Sequence, residues 1–418
     1  MKIVIATAVY YPMINGVAVF SHNLAVSLAK RGHQVLVLCP SQTGKNYTRI
    51  EDGVKVNRLK SIDVKVYPDQ INDVPPKKHF LGVDWPHLLY KNGFKVSVFP
   101  VKEIRKALDK FKPDVVHVQV SDPIGLSVVS YARKKNIPVV TTEHNQPEVL
   151  TEPLKLPGVV RKPMNVMLSA YFRNRQNKSD FVTMPTKQAI DNLILSSKKE
   201  FKVPVAAVSN GVDLTNFKPG KAPKSIYQKY GISEDAPIVL YVGRVDPEKK
   251  VGVVIEAFKK VVQALPDAKM VVVGDGVDRI RLEKVVSGLG LDKSIKFLGR
   301  VLPPDLYELY KVGDVFATAS EIETQGIVLI EAAATGLPLV AVNAGAVAEV
   351  CLNNRNGFLC EPEDVNAIAK ALIKILSDKK IREEFSKASL EIAGEHDLEK
   401  TIDKFINIYQ KVQEKGES

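Results

Sequence analysis

Short runs of apolar, β-branched residues alternate with segments of helical periodicity along the whole chain. The first run is Lys2–Ala6, and the segment after it places its apolar residues on one helical face: Val17, Phe20, Leu24 and Leu28. Runs that are apolar throughout are typical of parallel strands buried on both faces. The pattern therefore predicts an α/β fold in which helices cover parallel sheets.

The alternation occurs as two similar series, which predicts two Rossmann-like, doubly wound domains facing a cleft. Strands of the first series are predicted at Lys2–Ala6, Gln34–Leu38, Val54–Val56, Val115–Val118, Pro138–Thr142 and Phe181–Met184. Strands of the second series are predicted at Ile238–Gly243, Lys269–Gly274, Ser294–Leu298, Val315–Ala317 and Leu339–Val342. Because ligands of open α/β sheets bind beyond the carboxyl ends of the strands, we expect the site in the cleft.

A junction rich in turn formers, residues 201–220, separates the two series. We predict one domain at residues 1–203 and a second at residues 204–397. The terminal helical stretch, Leu398–Glu414, either packs locally or crosses back to brace the first domain. We assign residues 398–418 to the first domain.

Composition narrows the classes of protein. Hydrophobic residues make up 45% and charged residues 25% of the 418 residues, which excludes a disordered chain. Three sparse cysteines exclude a disulfide framework and fit a reducing compartment. No stretch of about 20 residues lacks charges and turn formers, so we predict no transmembrane helix and a cytoplasmic protein. The net charge of +12 favours nucleic acid, anionic lipid or phosphorylated ligands.

A predicted helix N-terminus in the second series suits a phosphate. The segment Ala319–Pro338 follows a strand and predicts a helix over about Gly326–Thr335, closed by Gly336. The first N–H groups of this helix, those of Gly326, Ile327 and Val328, and its dipole favour an anion.

Two carboxylates accompany this helix. Glu323 stands just before it, and Glu331 follows eight residues later. At this separation they cannot share one proton, but they can bind hydroxyls on two parts of an extended ligand. The alternative is that Glu323 is a helix-start acid and Glu331 a solvated residue.

A basic turn follows the first strand of the second series. Val242–Lys250 begins where that strand ends, so Arg244 and Lys249 are expected to project into the cleft. A guanidinium and an ammonium there can neutralise a diphosphate leaving group. Lys250 is easily confused with Lys249, and a solvated charged turn is the alternative.

Two positions in the first series lie in loops that follow strands. Gly16 opens a helix, which permits close approach of a phosphate oxygen. His144 follows the strand Pro138–Thr142, at the end where the cleft is expected. A turn glycine and a structural histidine are the alternatives, and His117 is predicted to support the same loops from the core.

These motifs resemble those of the retaining glycosyltransferases of the GT-B fold, the large family-four group. The resemblance rests on S-E-x-E-T-Q-G…E-A…G-x-P from Ser320, on G-R…E-K from Gly243 and on the N-G-V-D of Asn210–Asp213. It extends to the G-x-G turn Gly274–Gly276 and the F-x-G-x-V of Phe297–Val301, and it covers essentially the whole chain.

The resemblance implies a binding site for a nucleotide diphosphate sugar. It implies that Glu331 binds the ribose hydroxyls, that Glu323 binds the sugar ring hydroxyls, and that the backbone near Val301 meets the base. Thr324 is a further expected donor-binding residue. The N–H groups of Gly326–Val328 would hold the diphosphate and sugar.

The same resemblance assigns the catalytic residues. Arg244 and Lys249 neutralise the leaving diphosphate, Glu323 and His144 contact the transferred sugar, and Gly16 lies near the diphosphate. It implies net retention at the anomeric carbon. Our hypothesis for the mechanism is front-face attack, and we expect a UDP- or GDP-sugar as donor, with UDP preferred. No convincing D-x-D is present, so neither a metal nor another cofactor is expected.

Two basic, aromatic segments bear on the acceptor. Lys77–Lys91 and Arg161–Lys178 combine basic and aromatic residues, as do helices that lie on anionic membranes. The S-E-x-E-T-Q-G motif also resembles that of diacylglycerol glucosyltransferases. We therefore predict a membrane lipid as acceptor and a peripheral position on the inner face of the cell membrane. A core-facing helix at Arg161–Lys178 and a soluble or polyprenyl-linked sugar acceptor are the alternatives.

Two other classes of protein are less consistent with the chain. A dinucleotide-dependent oxidoreductase requires a complete G-x-G-x-x-G after a strand with an acid about 20 residues later, which is not found. A nucleic-acid binder would cluster its basic residues or carry a known module, whereas here they are scattered. We therefore expect no nucleic-acid partner.

Overall fold

The computed structural model describes residues 1–13, 15–63, 95–98, 100–119, 122–144, 147, 151 and 157–417. The chain divides into two compact units: an N-terminal unit of Met1–Asn210 with Glu399–Ser418, and a C-terminal unit of Gly211–Leu398. The segment Lys77–Lys91, with its predicted membrane contact, lies outside the described residues. The predicted domain boundaries, after residues 203 and 397, stay a prediction.

A mainly parallel sheet forms the centre of the N-terminal unit. Its strands are β1 (Lys2–Ala6), β2 (Gln34–Pro40), β3 (Tyr47–Glu51), β4 (Val54–Leu59), β7 (Val115–Val118), β8 (Val139–Thr142), β9 (Phe181–Met184) and β10 (Val205–Ala207). Their spatial order is β10, β9, β8, β7, β1, β2, β4, β3, and only the edge pair β3–β4 is antiparallel among these strands. A separate short pair joins β5 (Ile62–Asp63) and β6 (Lys95–Val96). The sequence pattern missed β3, because its residues are mostly polar and exposed.

Helices cover this sheet, and side-chain caps define where several of them begin. They are α1 (Gly16–Lys30), α2 (Val101–Phe111), α3 (Pro123–Lys134), α4 (Gly158–Gln176) and α5 (Lys187–Ser197). The Asn15 side chain accepts a hydrogen bond of 2.9 Å from the N–H of Ala18 and so fixes the start of α1. The predicted helix after the first strand is thereby confirmed, with Gly16 as its first residue.

The C-terminal unit contains a parallel sheet of Rossmann type. Its strands are β11 (Ile238–Val242), β12 (Lys269–Val273), β13 (Ile295–Gly299), β14 (Val315–Ala317), β15 (Leu339–Val342) and β16 (Gly357–Cys360). They lie in the order β13, β12, β11, β14, β15, β16, which is 3-2-1-4-5-6 when counted from β11. The doubly wound fold predicted from the sequence is confirmed in both units.

Both faces of the second sheet are buried, which explains why its strands read as unbroken apolar runs. Val239 and Tyr241 of β11 pack in one apolar cluster, and Leu240 and Val242 pack in another. The covering helices are α6 (Lys224–Tyr230), α7 (Val251–Ala264), α8 (Arg279–Gly288), α9 (Asp305–Tyr310), α10 (Ile327–Ala334), α11 (Val365–Ser377) and α12 (Lys379–Glu395).

The terminal helix α13 (Leu398–Glu417) belongs to the N-terminal unit. Its Phe405 ring lies 5.7 Å from that of Phe20 on α1, and Arg31 at the end of α1 bonds Glu399 and Asp403 at 2.6 and 2.5 Å. Of the two placements considered from the sequence, the helix adopts the one that returns to the first unit. No helix in the described part of the chain is long and apolar enough to cross a membrane.

Candidate active site

Three predicted donor residues of the C-terminal unit lie in loops at the point where its strand order reverses. Strands β11 and β14 are neighbours in parallel register, Leu240 opposite Phe316, and their carboxyl ends lie side by side. The loop after β11 carries Arg244 and Lys249, and the loop after β14 carries Glu323. Parallel sheets of this type bind ligands at this reversal point.

Lys249 and Glu323 form a direct ion pair. The Lys249 Nζ atom lies 2.6 Å from Glu323 Oε1 and 3.4 Å from Ser320 Oγ. The two side chains are only 15% and 17% exposed, so their attraction is less screened than that of a surface pair. The structure thus brings together an ammonium and a carboxylate that the sequence separates by 74 positions.

The Arg244 guanidinium is fixed by two carboxylates that sequence reasoning missed. It donates to Asp246 and, through its second nitrogen, to Glu248 at 2.9 Å. Tyr241 at the end of β11 donates its hydroxyl to the Arg244 carbonyl at 2.6 Å and so orients the turn. The side chain remains 45% exposed and keeps donors for an anion.

The structure distinguishes Lys249 from Lys250. The Lys250 Nζ atom pairs with Glu363 and lies 3.4 Å from Glu321, away from Glu323. Lys249 closes the short 3₁₀ turn Pro247–Lys249, after which the backbone of Lys250 takes a left-handed φ of 51°. This reversal separates the two ammonium groups.

Helix α10 begins where the sequence placed a phosphate site. Its first residue is Ile327, and Gly326 before it has a left-handed φ of 74°. The N–H groups of the first turn have no acceptors within the helix. A Cβ atom on Gly326 would lie 2.9 Å from Leu329 Cδ1, so a glycine fits this entry turn best. Gly336 beyond the helix also has positive φ, as predicted for its end.

Glu331 lies half-buried on α10 beside a tyrosine. The Tyr310 hydroxyl on α9 donates to Glu331 Oε2 at 2.5 Å. Burial raises the pKa of Glu331 to about 7, partly offset by this hydrogen bond, which favours the charged form. The alternative of a solvated residue is wrong, because Glu331 is neither exposed nor unpaired.

A glycine turn packs directly on the Arg244 loop. A Cβ atom on Gly274 would lie 1.8 Å from the carbonyl oxygen of Gly243, and one on Gly276 would lie 2.3 Å from that of Val245. Only glycine lets the two loops approach this closely. Val301, predicted to meet a base, is half-buried just beyond β13.

The predicted residues of the N-terminal unit follow strands β1 and β8, which lie on either side of β7 in the sheet. Strands β1 and β7 are neighbours at the reversal of strand order, and Gly16 lies beyond β1. His144 lies just beyond β8, with its ring 5.4 Å from that of Phe20. Its Nε2 atom lies 2.8 Å from Oε1 of Gln119, the residue just beyond β7.

His144 is a buried, neutral histidine. It is 6% exposed, and burial lowers its pKa to about 3. His117 is fully buried as predicted, and its pKa is also lowered to about 3, first by burial and second by the proximity of His144. At neutral pH neither ring carries a charge.

Sequence reasoning missed three polar partners of these residues. Gln119, the partner of His144, directly follows a buried strand, and the same position after a strand identified His144. For Tyr310, the partner of Glu331, and Tyr409, the partner of His117, the sequence offers only the general rule that a buried tyrosine hydroxyl needs a hydrogen-bond partner. Their partners come from elements distant in sequence, which periodicity does not reveal.

Comparison with known families agrees with this architecture. Residues 14–216 match Glycosyltransferase Family 4, and residues 224–392 match Glycosyl transferases group 1. The chain belongs to the GT-B-fold glycosyltransferases of the family-four group, enzymes that transfer a sugar from a nucleotide sugar.

The most informative relatives span nearly the whole chain. The chain is 27% identical to alpha-monoglucosyldiacylglycerol synthase of Acholeplasma laidlawii, over 93% of this chain and 91% of that protein. It is also 27% identical to the synthase of the same name from Streptococcus pneumoniae, over 98% and 88%. Among solved structures, HepE of Anabaena in complex with UDP-glucose superposes with a TM-score of 0.70 at 18% identity, covering 98% of this chain and all of that one.

Proposed function

We propose that this enzyme transfers a hexose from a UDP-sugar, with retention, to a hydroxyl of diacylglycerol or another membrane lipid. The observation that carries the donor part is the Lys249–Glu323 ion pair beside the start of α10. This arrangement offers a cation for a phosphate, a carboxylate for sugar hydroxyls and helix N–H groups for the diphosphate. The UDP-glucose bound by HepE supports UDP as the nucleotide.

Each predicted donor residue has a proposed task. Glu331 binds the ribose hydroxyls, Thr324 and the N–H groups of Gly326–Val328 serve the diphosphate and sugar, and Val301 meets the base. In the N-terminal unit, Gly16 serves the diphosphate and His144 contacts the sugar. Because His144 is neutral and buried, we assign it to positioning the sugar instead of supplying a proton at neutral pH.

The proposed reaction is a front-face substitution at the anomeric carbon. The bond from this carbon to the diphosphate oxygen breaks, and the acceptor oxygen forms a new bond on the same face. The acceptor proton passes to the departing phosphate. Arg244 and Lys249 stabilise the charge that develops on the leaving group.

Helix α4 supports a membrane-bound acceptor. Its exposed apolar residues recur at helical spacing and form one stripe: Val159, Val160, Val166, Met167 and Tyr171. Arg161, Lys162, Arg175 and Lys178 supply the positive charge, whereas Arg173 is buried and bonds Ser197. The opposite face of α4 is buried with Phe172 in a core cluster, as the alternative of a core-facing helix with a solvated basic edge expects, whereas the stripe faces solvent.

A groove beside α4 adds to this surface. Its volume is about 380 Å³, and its basic members are Arg133, Lys134, Arg175 and Lys178. A positive charge next to exposed apolar side chains is the combination that binds anionic lipid surfaces. The names of the two synthases support a lipid acceptor, and we propose a cytoplasmic enzyme peripheral to the inner face of the cell membrane.

The donor assignment is tested with Glu323→Gln, which keeps the shape of the side chain but removes its charge. We expect transfer from UDP-glucose to diacylglycerol in vesicles to fall by about a hundredfold or more, with the melting temperature nearly unchanged. Glu321→Gln, two residues earlier and paired with Lys250, is the matched control and should retain activity. Near-normal activity of Glu323→Gln would refute the assignment, and the anomeric configuration of the product, read by NMR, tests retention.

The membrane assignment is tested by vesicle flotation. Met167→Glu places a charge in the α4 stripe at a residue that is 64% exposed, and Ile50→Glu makes the same change at a 70% exposed residue of β3. We expect only Met167→Glu to weaken binding to anionic vesicles, and added salt to weaken binding of the unaltered enzyme. Equal flotation of both variants would contradict the proposal, and transfer to a soluble sugar without vesicles would favour the alternative acceptor.

A further inference from the structure

A continuous chain of buried hydrogen bonds joins the terminal helix α13 to His144. Tyr409 Oη lies 2.6 Å from His117 Nδ1, and His117 Nε2 lies 3.2 Å from Gln119 Nε2. Gln119 Oε1 lies 2.8 Å from His144 Nε2. Tyr409, His117 and Gln119 are fully buried, so water does not compete for these bonds.

The donors and acceptors along this chain define the state of both rings. The Gln119 amide is assigned with its oxygen toward His144, and a carbonyl oxygen only accepts, so His144 carries its proton on Nε2 and its lone pair on Nδ1. The amide nitrogen of Gln119 only donates, so His117 Nε2 accepts. His117 therefore carries its proton on Nδ1 and donates it to the Tyr409 oxygen.

A second hydroxyl is compatible with the same assignment, because a threonine hydroxyl donates as well as accepts. Thr142 Oγ1 lies 2.7 Å from His117 Nε2 and 2.6 Å from Thr183 Oγ1. When Thr183 donates to Thr142, the Thr142 proton points to His117 Nε2, whose one lone pair is then shared between Thr142 at 2.7 Å and the longer contact from Gln119 at 3.2 Å. The lowered pKa values of both histidines keep each ring neutral, so each holds a single proton whose position matters.

We propose that Tyr409 is a positioning residue for His144. Tyr409 supplies an acceptor for the Nδ1–H of His117, and so stabilises the tautomer whose Nε2 accepts from the Gln119 amide nitrogen. Gln119, held in this orientation, presents its oxygen to His144. The lone pair on Nδ1 and the ring orientation of His144 are then set before any substrate arrives. This inference rests on the proposed role of His144 in contacting the transferred sugar.

The experiment compares Tyr409→Phe with the unaltered enzyme by ¹⁵N NMR of labelled histidine and by kinetics. In the unaltered enzyme we expect His144 protonated on Nε2 and His117 on Nδ1. In Tyr409→Phe we expect both rings to show mixed tautomers and kcat to fall about tenfold at unchanged donor KM. Tyr131→Phe removes a hydroxyl that bonds Asp109 on the same unit and should change neither quantity.

A double-mutant cycle with Gln119→Leu separates relay from packing. If the relay operates, Tyr409→Phe has no further effect once Gln119 is gone, whereas a packing role predicts that the two effects add. Additive losses, or an unchanged His144 tautomer in Tyr409→Phe, would overturn the inference. If Tyr409→Phe does not fold, the tautomers in Gln119→Leu decide, because an unchanged Nε2–H state of His144 there refutes the relay.

Failure of the proposed function is recognised separately. His144→Ala with normal transfer would remove the role of His144 in catalysis. The NMR measurement needs no substrate, so it still reports whether Tyr409 controls the tautomer.

Discussion

At the scale of single residues, Glu331 combines a raised pKa with a hydrogen bond from Tyr310. Below about pH 7 the acid form dominates, and a neutral carboxyl accepts from ribose hydroxyls more weakly than a carboxylate. Both phosphates of a UDP-sugar are esterified, so the ligand does not titrate in this range. We therefore expect donor affinity, measured by calorimetry, to rise as the pH increases through about 7.

Two variants check the origin of this pH dependence. Glu331→Gln cannot ionise, so it should bind the donor weakly and without the step near pH 7. Tyr310→Phe removes the hydrogen bond that lowers the Glu331 pKa, so the step should move to higher pH. A step that persists in Glu331→Gln would assign it to another group.

Residue types and their positions at strand ends predicted the candidate donor residues, whose roles stay a prediction. Lys249 was identified in a basic turn after a strand and Glu323 just before a predicted helix, and both match motifs of the family. Their mutual ion pair was not predicted, since it depends on which strands are neighbours, and the sequence does not state strand order. The carboxylates on Arg244 were missed for a different reason, because Asp246 and Glu248 look like ordinary residues of a charged turn.

At the scale of elements, the turn after β12 determines the position of the loop after β11. Gly274→Ala would force a Cβ atom against the Gly243 carbonyl in a backbone region unfavourable to side chains, where φ is 139°. We expect a loss of at least about 2 kcal/mol in unfolding free energy and weaker donor binding. Denaturant unfolding and thermal shift with UDP-glucose measure the two effects.

Gly288 provides the matched control for this substitution. It lies in helix α8, and a Cβ atom there would meet nothing within 4 Å. Gly288→Ala should be neutral or stabilise by about 0.4 to 1 kcal/mol. Equal effects at both glycines would mean that the contact with Gly243 does not constrain the loop.

Elements were predicted best where an apolar run is long and buried. Strands β1, β7, β9, β14 and β15 have the predicted bounds, and most other predicted strands differ by one to three residues at an end. The edge strand β3 was missed because it has no apolar face to bury, and its pairing depends on β4. Helix α4 shows the reverse difficulty, because it has many apolar residues but the sequence does not show whether they face the core or solvent.

At the scale of the whole molecule, α13 contributes to the core of a unit whose other residues precede it by about half the chain. Phe405 is fully buried against Phe20 and His117. Phe405→Ala should cost about 3 to 5 kcal/mol, and hydrogen exchange should show the loss at β1 and β7. Phe258→Ala, which empties a core position of the C-terminal unit, should instead affect β11 and β12.

The return of α13 also has a consequence for the order of events during synthesis. Every residue of the C-terminal unit is translated before Phe405 and Tyr409. The nascent chain therefore contains the whole C-terminal unit while the N-terminal unit still lacks its last helix. At about 5 to 20 residues per second, the 208 residues after Asn210 take about 10 to 40 s to appear. During that interval the nascent N-terminal half has uncovered apolar surface where α13 will pack, which is the kind of surface that chaperones recognise. Docking of the last helix then completes the buried chain to His144, so a polypeptide interrupted before Tyr409 would carry a complete C-terminal unit and yet be unable to perform transfer.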